Sequence, residues 1–286
     1  MPGRTTAPMI AVRKRSAGQE PIVMVTAYDT PFARIADDAG VDVILVGDSV
    51  ADNVLGFEDT LSVSVSDMAH HTAAVARAHP SALIVADMPW MSYHTDVRDA
   101  LMNAATLVHA GAQAVKLEGG MKRLPVIEAI LDAEIPVMGH LGLTPQSLHA
   151  MGGMKVQARS IAQARDLERD AAALANAGCF ALVLECVPDV VAGRVTNTID
   201  IPTIGIGAGP LCDGQVLVLH DLLGLSSRPV AKFVRRYADV ASVAREALRA
   251  YAKDVRSGDY PSDNETYHAS SELARATKSD EPKHAS

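Results

Sequence analysis

The sequence predicts an α/β protein, a single-domain (β/α)8 TIM barrel with a flexible C-terminal tail. Three observations predict it. Eight short segments rich in Val, Ile, Leu or Ala read as buried strands, and helix candidates separate nearly all of them. Three helices end in a similar junction, Ala39-Gly40-Val41, Ala110-Gly111-Ala112 and Ala177-Gly178-Cys179. Each junction leads into a strand and then an acid: Asp48, Glu118 or Glu185. Polar residues also gather at one end of the strands. Asp48, Asp87, Glu118, His140, Glu185 and His220 follow the last apolar positions, whereas Pro21, Val41, Ser81, Ala112, Pro136, Phe180 and Pro202 begin strands without charge. Strands apolar on both faces suit a parallel sheet covered by helices. Eight β/α units in about 250 residues close a barrel, whose chemistry sits at the carboxyl ends of the strands. The competing fold, an open doubly wound sheet, wants a glycine-rich turn after an early strand, and Tyr28-Asp29-Thr30-Pro31 is not one.

In chain order, residues 1–9 are expected to be loose, and 10–17 form a short basic helix ended by Gly18. The first strand covers 21–27. A helix over 32–39 follows, with Thr30 as its cap, Pro31 in its first turn and Gly40 at its end. The strand 41–46 breaks at Gly47 and delivers Asp48 and Ser49. A helix over 66–79, capped by Ser64 or Ser66, precedes the strand 82–86. Helices over 96–110, 124–133 and 160–177 precede strands at 114–117, 136–139 and 181–184. A short helix at 188–195 precedes the strand 203–206. The last strand is 215–219, and 230–253 is mostly helical. No linker divides the body, so residues 1–261 are expected as one catalytic domain, and 262–286 as a polar, flexible tail.

Composition excludes several functions. The chain has 286 residues, of which 48% are apolar, enough for a sizeable core. A net charge of −8 without a Lys/Arg block argues against a nucleic-acid surface. No run reaches the roughly 18 apolar residues of a membrane span. The first nine residues lack the apolar region of a secretory signal. Cys179, Cys186 and Cys212 form no C-x-x-C pair and read as reduced thiols of a cytoplasmic protein.

The strand ends carry the chemistry. Asp48, Asp87 and Glu118 form a hard, all-oxygen set that favours Mg²⁺ or Mn²⁺ over Zn²⁺. Asp48 and Asp87 are the direct ligands, and Glu118 binds directly or through water. Side chains alternate along a strand, so Lys116 shares the face of Glu118, one layer below it. A Lys inside a barrel needs acid partners; the alternative is that it points outward and snorkels between helices. Glu185, two strands on, suits a general base with a raised pKa, or else a fourth acid of the metal cage. The glycine-rich loop from Gly139 to Gln157 reads as a lid, and Gly205-Ile206-Gly207-Ala208-Gly209 as a close backbone approach to a ligand or tight strand-end packing. Tyr28 and Asp29 follow the first strand and are within reach of the site. His70 and His71, on a helix, read as surface or packing residues.

Six segments together resemble the ketopantoate hydroxymethyltransferase family: Val46-Gly47-Asp48-Ser49, Ala86-Asp87-Met88-Pro89, Val115-Lys116-Leu117-Glu118-Gly119-Gly120, Gly139-His140-Leu141-Gly142-Leu143-Thr144-Pro145-Gln146, Leu184-Glu185-Cys186-Val187-Pro188 and Ile204-Gly205-Ile206-Gly207-Ala208-Gly209. The resemblance runs over about residues 22–261. It implies a (β/α)8 barrel assembled as a homodecamer. It implies hydroxymethyl transfer from 5,10-methylenetetrahydrofolate to 3-methyl-2-oxobutanoate, the first committed step of pantothenate synthesis. It implies a Mg²⁺ site at Asp48, Asp87 and Glu118, oxoacid contacts from Asp48, Ser49, Asp87 and Lys116, and a proton acceptor at Glu185. Ala51, followed by Asp52-Asn53, departs from a glycine common in the family, and a local loop change is expected there. The rival within the same chemistry is a metal-dependent 2-oxo acid barrel of the phosphoenolpyruvate mutase or carbon–carbon lyase type. Its usual Lys-Cys-Gly-His type of motif is absent from the sequence.

Overall fold

A computed structural model of the chain describes residues 3–226 and 228–279, with side chains described through residue 275. The first unit ends at Tyr237 and the second begins at Ala238, whereas the sequence places the end of the catalytic domain at residue 261.

The first unit opens with helix α1 (Ala7–Ala11), followed by β1 (Ile22–Thr26), α2 (Thr30–Asp38), β2 (Val43–Val46), α3 (Val50–Asn53) and α4 (Val65–Ala76). Next come β3 (Leu83–Asp87), α5 (Val97–His109), β4 (Ala114–Glu118), α6 (Leu124–Asp132), β5 (Val137–Gly142) and α7 (Leu148–Met151). The unit continues through α8 (Ile161–Ala177), β6 (Ala181–Glu185), α9 (Asp189–Thr198), β7 (Thr203–Ile206), β8 (Gly214–Leu217) and α10 (Leu219–Leu223). The strands pair in sequence order, all parallel, and β1 closes onto β8. This is the expected (β/α)8 barrel.

Helix starts follow local chemistry. Ser64 and Ser160 each accept from the third helical N–H in a reciprocal capping box, and Asp96 accepts from Asp99 N. Asp29, not Thr30, caps α2 by accepting from Phe32 N. The Thr30 hydroxyl instead donates to the Ala74 carbonyl at 2.7 Å, which ties α2 to α4.

Strand parity divides the core in two. Val43, Leu45, Leu83, Val85, Met138 and Val183 fill the barrel, while Ile44, Val46, Ile84, Val115, Leu117 and Leu182 pack under the helices. Ala7 and Ile10 of α1 join the inner cluster beside Ile22 and Met24. The segment after α1 is tied to the start of the strands. Arg13 pairs with Asp42, and Lys14 Nζ donates to Asp213 Oδ2 (2.8 Å) and to the carbonyls of Thr196 (2.6 Å) and Ile201 (3.2 Å). The amino end of the barrel is therefore plugged, which leaves the carboxyl end as the open mouth.

The expected loose stretch over 1–9 and helix over 10–17 are instead α1 and a 3-10 turn at Arg15–Ala17, and three further boundaries differ for physical reasons. β5 runs past His140 to Gly142, because its backbone stays paired with β6 as far as Glu185. β8 stops at Leu217, so His220 and Asp221 lie on α10 rather than at a strand end. The expected helix over 230–253 begins only at α11 (Val240–Ser257). Pro229 lacks a donor and biases Arg228 toward extended backbone, so the chain runs on as a strap. Arg228 anchors that strap by donating to the carbonyls of Phe57 and Glu58, both at 2.7 Å.

The second unit contains α11, a 3-10 turn at Asp263–Glu265 and α12 (Ser271–Ser279). Part of the tail expected to be flexible is therefore helical, and residues 280–286 lie outside the described residues. No helix among the described residues is long and apolar enough to cross a membrane.

Asp213 is 1% exposed and depends on Lys14 for a charged partner, although Arg15 N and Thr203 N also donate to it. Lys14→Met strands that carboxylate. Removing one partner of a buried pair costs about 3–5 kcal/mol. These donors, with the Thr203 hydroxyl as a third at 3.4 Å, put this case at the lower end, so a thermal melt should fall by roughly 6–12 °C. An unchanged melt would show that the plug does not stabilise the barrel.

Candidate active site

The inner face of each strand, followed to its carboxyl end, arrives at a polar residue. Ala114 faces into the barrel, whereas Val115 and Leu117 face the helices, so Lys116 and Glu118 point inward. The outward, snorkelling orientation of Lys116 is excluded: the residue is 4% exposed. The same parity turns Asp87 inward above Leu83 and Val85, His140 above Met138, and Glu185 above Ala181 and Val183. Asp48 and Ser49 follow β2 in the turn that opens α3. All seven line one cavity of about 300 Å³.

Register brings the groups into contact. Asp87 lies beside Lys116 across β3 and β4, and Lys116 Nζ is 2.8 Å from Asp87 Oδ1. Glu118 lies beside His140 across β4 and β5. His140 bridges two acids, with Nδ1 3.3 Å from Glu118 Oε1 and Nε2 3.2 Å from Glu185 Oε2. Lys116 Nζ is also 3.4 Å from His140 Nδ1. The Asp48 N–H donates to Asp87 Oδ2 at 3.0 Å. The Ser49 hydroxyl is 2.8 Å from the Tyr28 hydroxyl.

The electrostatics follow from burial of like charges. Burial raises the Asp48 carboxyl well above the usual range, and the Asp87 and Glu118 carboxylates add to that. Burial disfavours the Lys116 ammonium, but Asp87, Glu118 and Asp48 outweigh it and hold the proton. Burial and Lys116 also push the His140 imidazole down, yet its contacts with Glu118 and Glu185 prevail and set it at about 9. His140 is therefore an imidazolium at neutral pH, and it lies between Glu185 and the three-acid cluster.

Four acids, Asp48, Asp87, Glu118 and Glu185, outnumber the Lys116 and His140 cations in the cavity, and Asp87 Oδ1 has no aligned hydrogen bond. That donor set fits a hard divalent cation. Among the described residues no group of three or more His, Cys, Asp or Glu side chains is drawn together closely enough to hold a metal ion.

His220 does not join the site. It sits on α10, with its ring 5.4 Å from that of Tyr28 and 6.1 Å from that of Phe32. Gly207 has φ +64, and a Cβ there would come within 2.6 Å of Phe233 Cδ1. The glycine run thus admits the strap, which is tight packing. Asp29 is spent as a helix cap. The Asp52-Asn53 departure holds the strap: Asp52 lies 3.7 Å from Arg228, and Ser226 Oγ donates to Asn53 Oδ1 at 3.2 Å.

Gln146 and Tyr93 carry no role legible in the sequence, and the partners of His140 are not legible there either. Their contacts span long sequence separations that no periodicity reports. The one available signal was that these polar residues lie on or just after strands whose neighbours end in acids.

A sequence profile described as ketopantoate hydroxymethyltransferase matches residues 5–263. The chain belongs to the ketopantoate hydroxymethyltransferase family. It is 57% identical over 262 residues to the 3-methyl-2-oxobutanoate hydroxymethyltransferase of Methylobacterium sp. (strain 4-46), covering 92% of this chain and 90% of that one. It is 56% identical over 245 residues to the enzyme of the same name from Pyrobaculum aerophilum, covering 86% and 93%. A solved phosphonopyruvate hydrolase in complex with oxalate and Mg²⁺ superimposes with a TM-score of 0.58 at 15% identity, covering 96% of this chain and 99% of that one. That likeness is one of fold. As a member of the hydroxymethyltransferase family, the chain is a transferase acting on small molecules in pantothenate biosynthesis, and its departures around Ala51 leave Asp48 and Ser49 in the cavity.

Cys186 adjoins Glu185 and gives a direct check on this environment. Burial, with a further push from the Glu185 carboxylate, raises its thiol to about 11. Only the thiolate is nucleophilic, so at pH 8 iodoacetamide should label Cys186 roughly 100-fold more slowly than a free thiol. The rate should climb about tenfold per pH unit toward pH 10. Mass spectrometry of the labelled peptide measures this. A midpoint near that of a free thiol would contradict the charged, buried setting assigned to Glu185.

Proposed function

We propose that this cavity transfers a hydroxymethyl group from 5,10-methylenetetrahydrofolate to 3-methyl-2-oxobutanoate, giving 2-dehydropantoate (ketopantoate), with Mg²⁺ as its metal. This is the first committed step toward pantothenate and coenzyme A. Family membership supports the reaction. One observation carries the assignment of roles. Asp48, Asp87 and Glu118 gather around Lys116, while Glu185 stands apart from them across His140.

Asp48, Asp87 and Glu118 are the residues that would hold Mg²⁺. When bound, the ion supplies Lewis acidity and a template for the carboxylate and 2-oxo oxygens of the substrate. Ser49, oriented by the Tyr28 hydroxyl, donates to the substrate carboxylate. The Lys116 ammonium offsets negative charge at the same end, and Asp48 and Asp87 line the oxoacid pocket. Glu185, less buried than the other acids, accepts the proton from C3 of the oxoacid. His140, with Nε2 3.2 Å from that carboxylate, holds it in place. The deprotonated substrate carbon then forms a bond to the folate methylene. One water is consumed, tetrahydrofolate leaves, and the transferred carbon ends as CH₂OH.

Leu225 and Ser226, Arg228 to Ala231 and Phe233 of the strap, with Pro145 and Met154, line the outer cavity, where the larger folate has room to enter. The family resemblance supports a cytoplasmic homodecamer as the working form, with no nucleic-acid or membrane partner.

The defining assay mixes the protein with Mg²⁺, 3-methyl-2-oxobutanoate and 5,10-methylenetetrahydrofolate and looks for ketopantoate. Its absence, or cleavage of a 2-oxo acid instead, would contradict the reading. Glu185→Gln separates binding from chemistry. It should still bind the oxoacid, while C3 hydrogen exchange in D₂O slows by about 10²–10⁴-fold. Exchange at the wild-type rate would remove Glu185 from the role of base.

A further inference from the structure

Gln146 enters the barrel mouth from the loop after β5 and is 5% exposed. Its side-chain amide is fully engaged. Nε2 donates to Asp48 Oδ2 at 2.9 Å and to the Met88 carbonyl at 3.0 Å. Oε1 accepts from the Tyr93 hydroxyl at 2.6 Å. The backbone N–H of Gln146 donates to Glu118 Oε2 at 3.0 Å. The Tyr93 oxygen, its hydrogen already given, accepts from the Glu118 N–H at 3.2 Å.

This network admits one orientation of the amide. The Met88 carbonyl can only accept, as does the Asp48 carboxylate when ionised, so the hydrogens of Nε2 face them. Turned about, Oε1 would meet the Met88 carbonyl and the Tyr93 hydroxyl hydrogen would lose its acceptor. One residue therefore fixes one oxygen of an acid after β2 and one oxygen of an acid at the end of β4. Asp48 Oδ1 is left for other partners, whereas Glu118 Oε1 lies 3.3 Å from His140 Nδ1.

We propose that Gln146, oriented by Tyr93, is a positioning residue that sets which oxygen of Asp48 faces the divalent cation. The inference rests on the reading that these acids hold that cation. A neutral amide suits the task on chemical grounds. It donates to a carboxylate without competing for the site as Lys or Arg would, and without repelling Asp48 as Glu would. Outer partners of this kind orient metal-ligating side chains, and their loss typically weakens metal binding by about 10–100-fold.

The test titrates Mn²⁺ alone into the full-length protein and follows free Mn²⁺ by electron paramagnetic resonance. Thermal melts and steady-state kinetics run alongside. Wild type should bind Mn²⁺, and Asp48→Asn should lose that binding. If wild type takes up none, or Asp48→Asn binds as well as wild type, the metal reading fails and this inference falls with it. Gln146→Met keeps the size of the side chain and the backbone contact to Glu118 but removes the amide. It should bind Mn²⁺ about tenfold or more weakly. At saturating Mn²⁺ its KM for the oxoacid should stay within about twofold of wild type, a split that simple loosening of the loop would not give. A folded Gln146→Met with wild-type Mn²⁺ affinity overturns the proposal. If that variant does not fold, Tyr93→Phe decides. Weakening by about threefold or more supports the proposal, since the amide has lost its orienting hydrogen bond, and unchanged affinity overturns it.

Discussion

Packing Asp48, Asp87 and Glu118 into the mouth of a barrel sets a charge problem that the surrounding structure must answer. Carboxylates drawn out of water repel one another and resist ionisation, as the raised Asp48 shows. Lys116 supplies one positive charge from the layer below, and His140 supplies a second between Glu118 and Glu185. Both cations exist because acids surround them; burial alone would have discharged them. The acids and bases are thus mutually dependent, and none of them can be changed without shifting the rest. The negative charge still left over is what a divalent cation would neutralise.

The barrel makes this arrangement possible through parity and closure. Because side chains alternate, one face of each strand fills the interior with Val, Leu, Met and Ala, and the same face delivers its next residue to the mouth. The parallel register then fixes neighbours, so that Asp87 meets Lys116 and Glu118 meets His140. At the other end, α1 and the Lys14–Asp213 pair fill the opening. Plugging one end and charging the other gives the barrel a direction. The strap, pinned by Arg228 to the carbonyls of Phe57 and Glu58, adds an outer wall to the open end.

Much of this was legible in the sequence because period-2 patterns and helix-ending glycines are local signals. The eight strands, the order of the elements and the inward orientation of Lys116 all followed from residues a few positions apart. What escaped depends on contacts that close only in three dimensions. Gln146 lies 98 positions from Asp48, and Tyr93 lies 53 from Gln146. A polar residue in a loop carries no mark that tells it to turn inward. His220 misled for the opposite reason: an apolar run before it looks the same whether it ends a strand or opens a helix. The strap was hidden because residues 230–239 are compatible with a helix, and the anchoring of Arg228 decides otherwise. The resemblance to a family added roles to residues that geometry alone could only bring together.

Asp48, Asp87 and Glu118 are the residues that would hold a divalent cation beside the carboxylate and ketone of the oxoacid. Pulsed electron paramagnetic resonance of the Mn²⁺-loaded protein tests this placement most directly, using 3-methyl-2-oxobutanoate labelled with ¹³C at C1 and C2. Hyperfine coupling from Mn²⁺ to both labelled carbons is the expected result. Bound Mn²⁺ with no coupling to either carbon would contradict it.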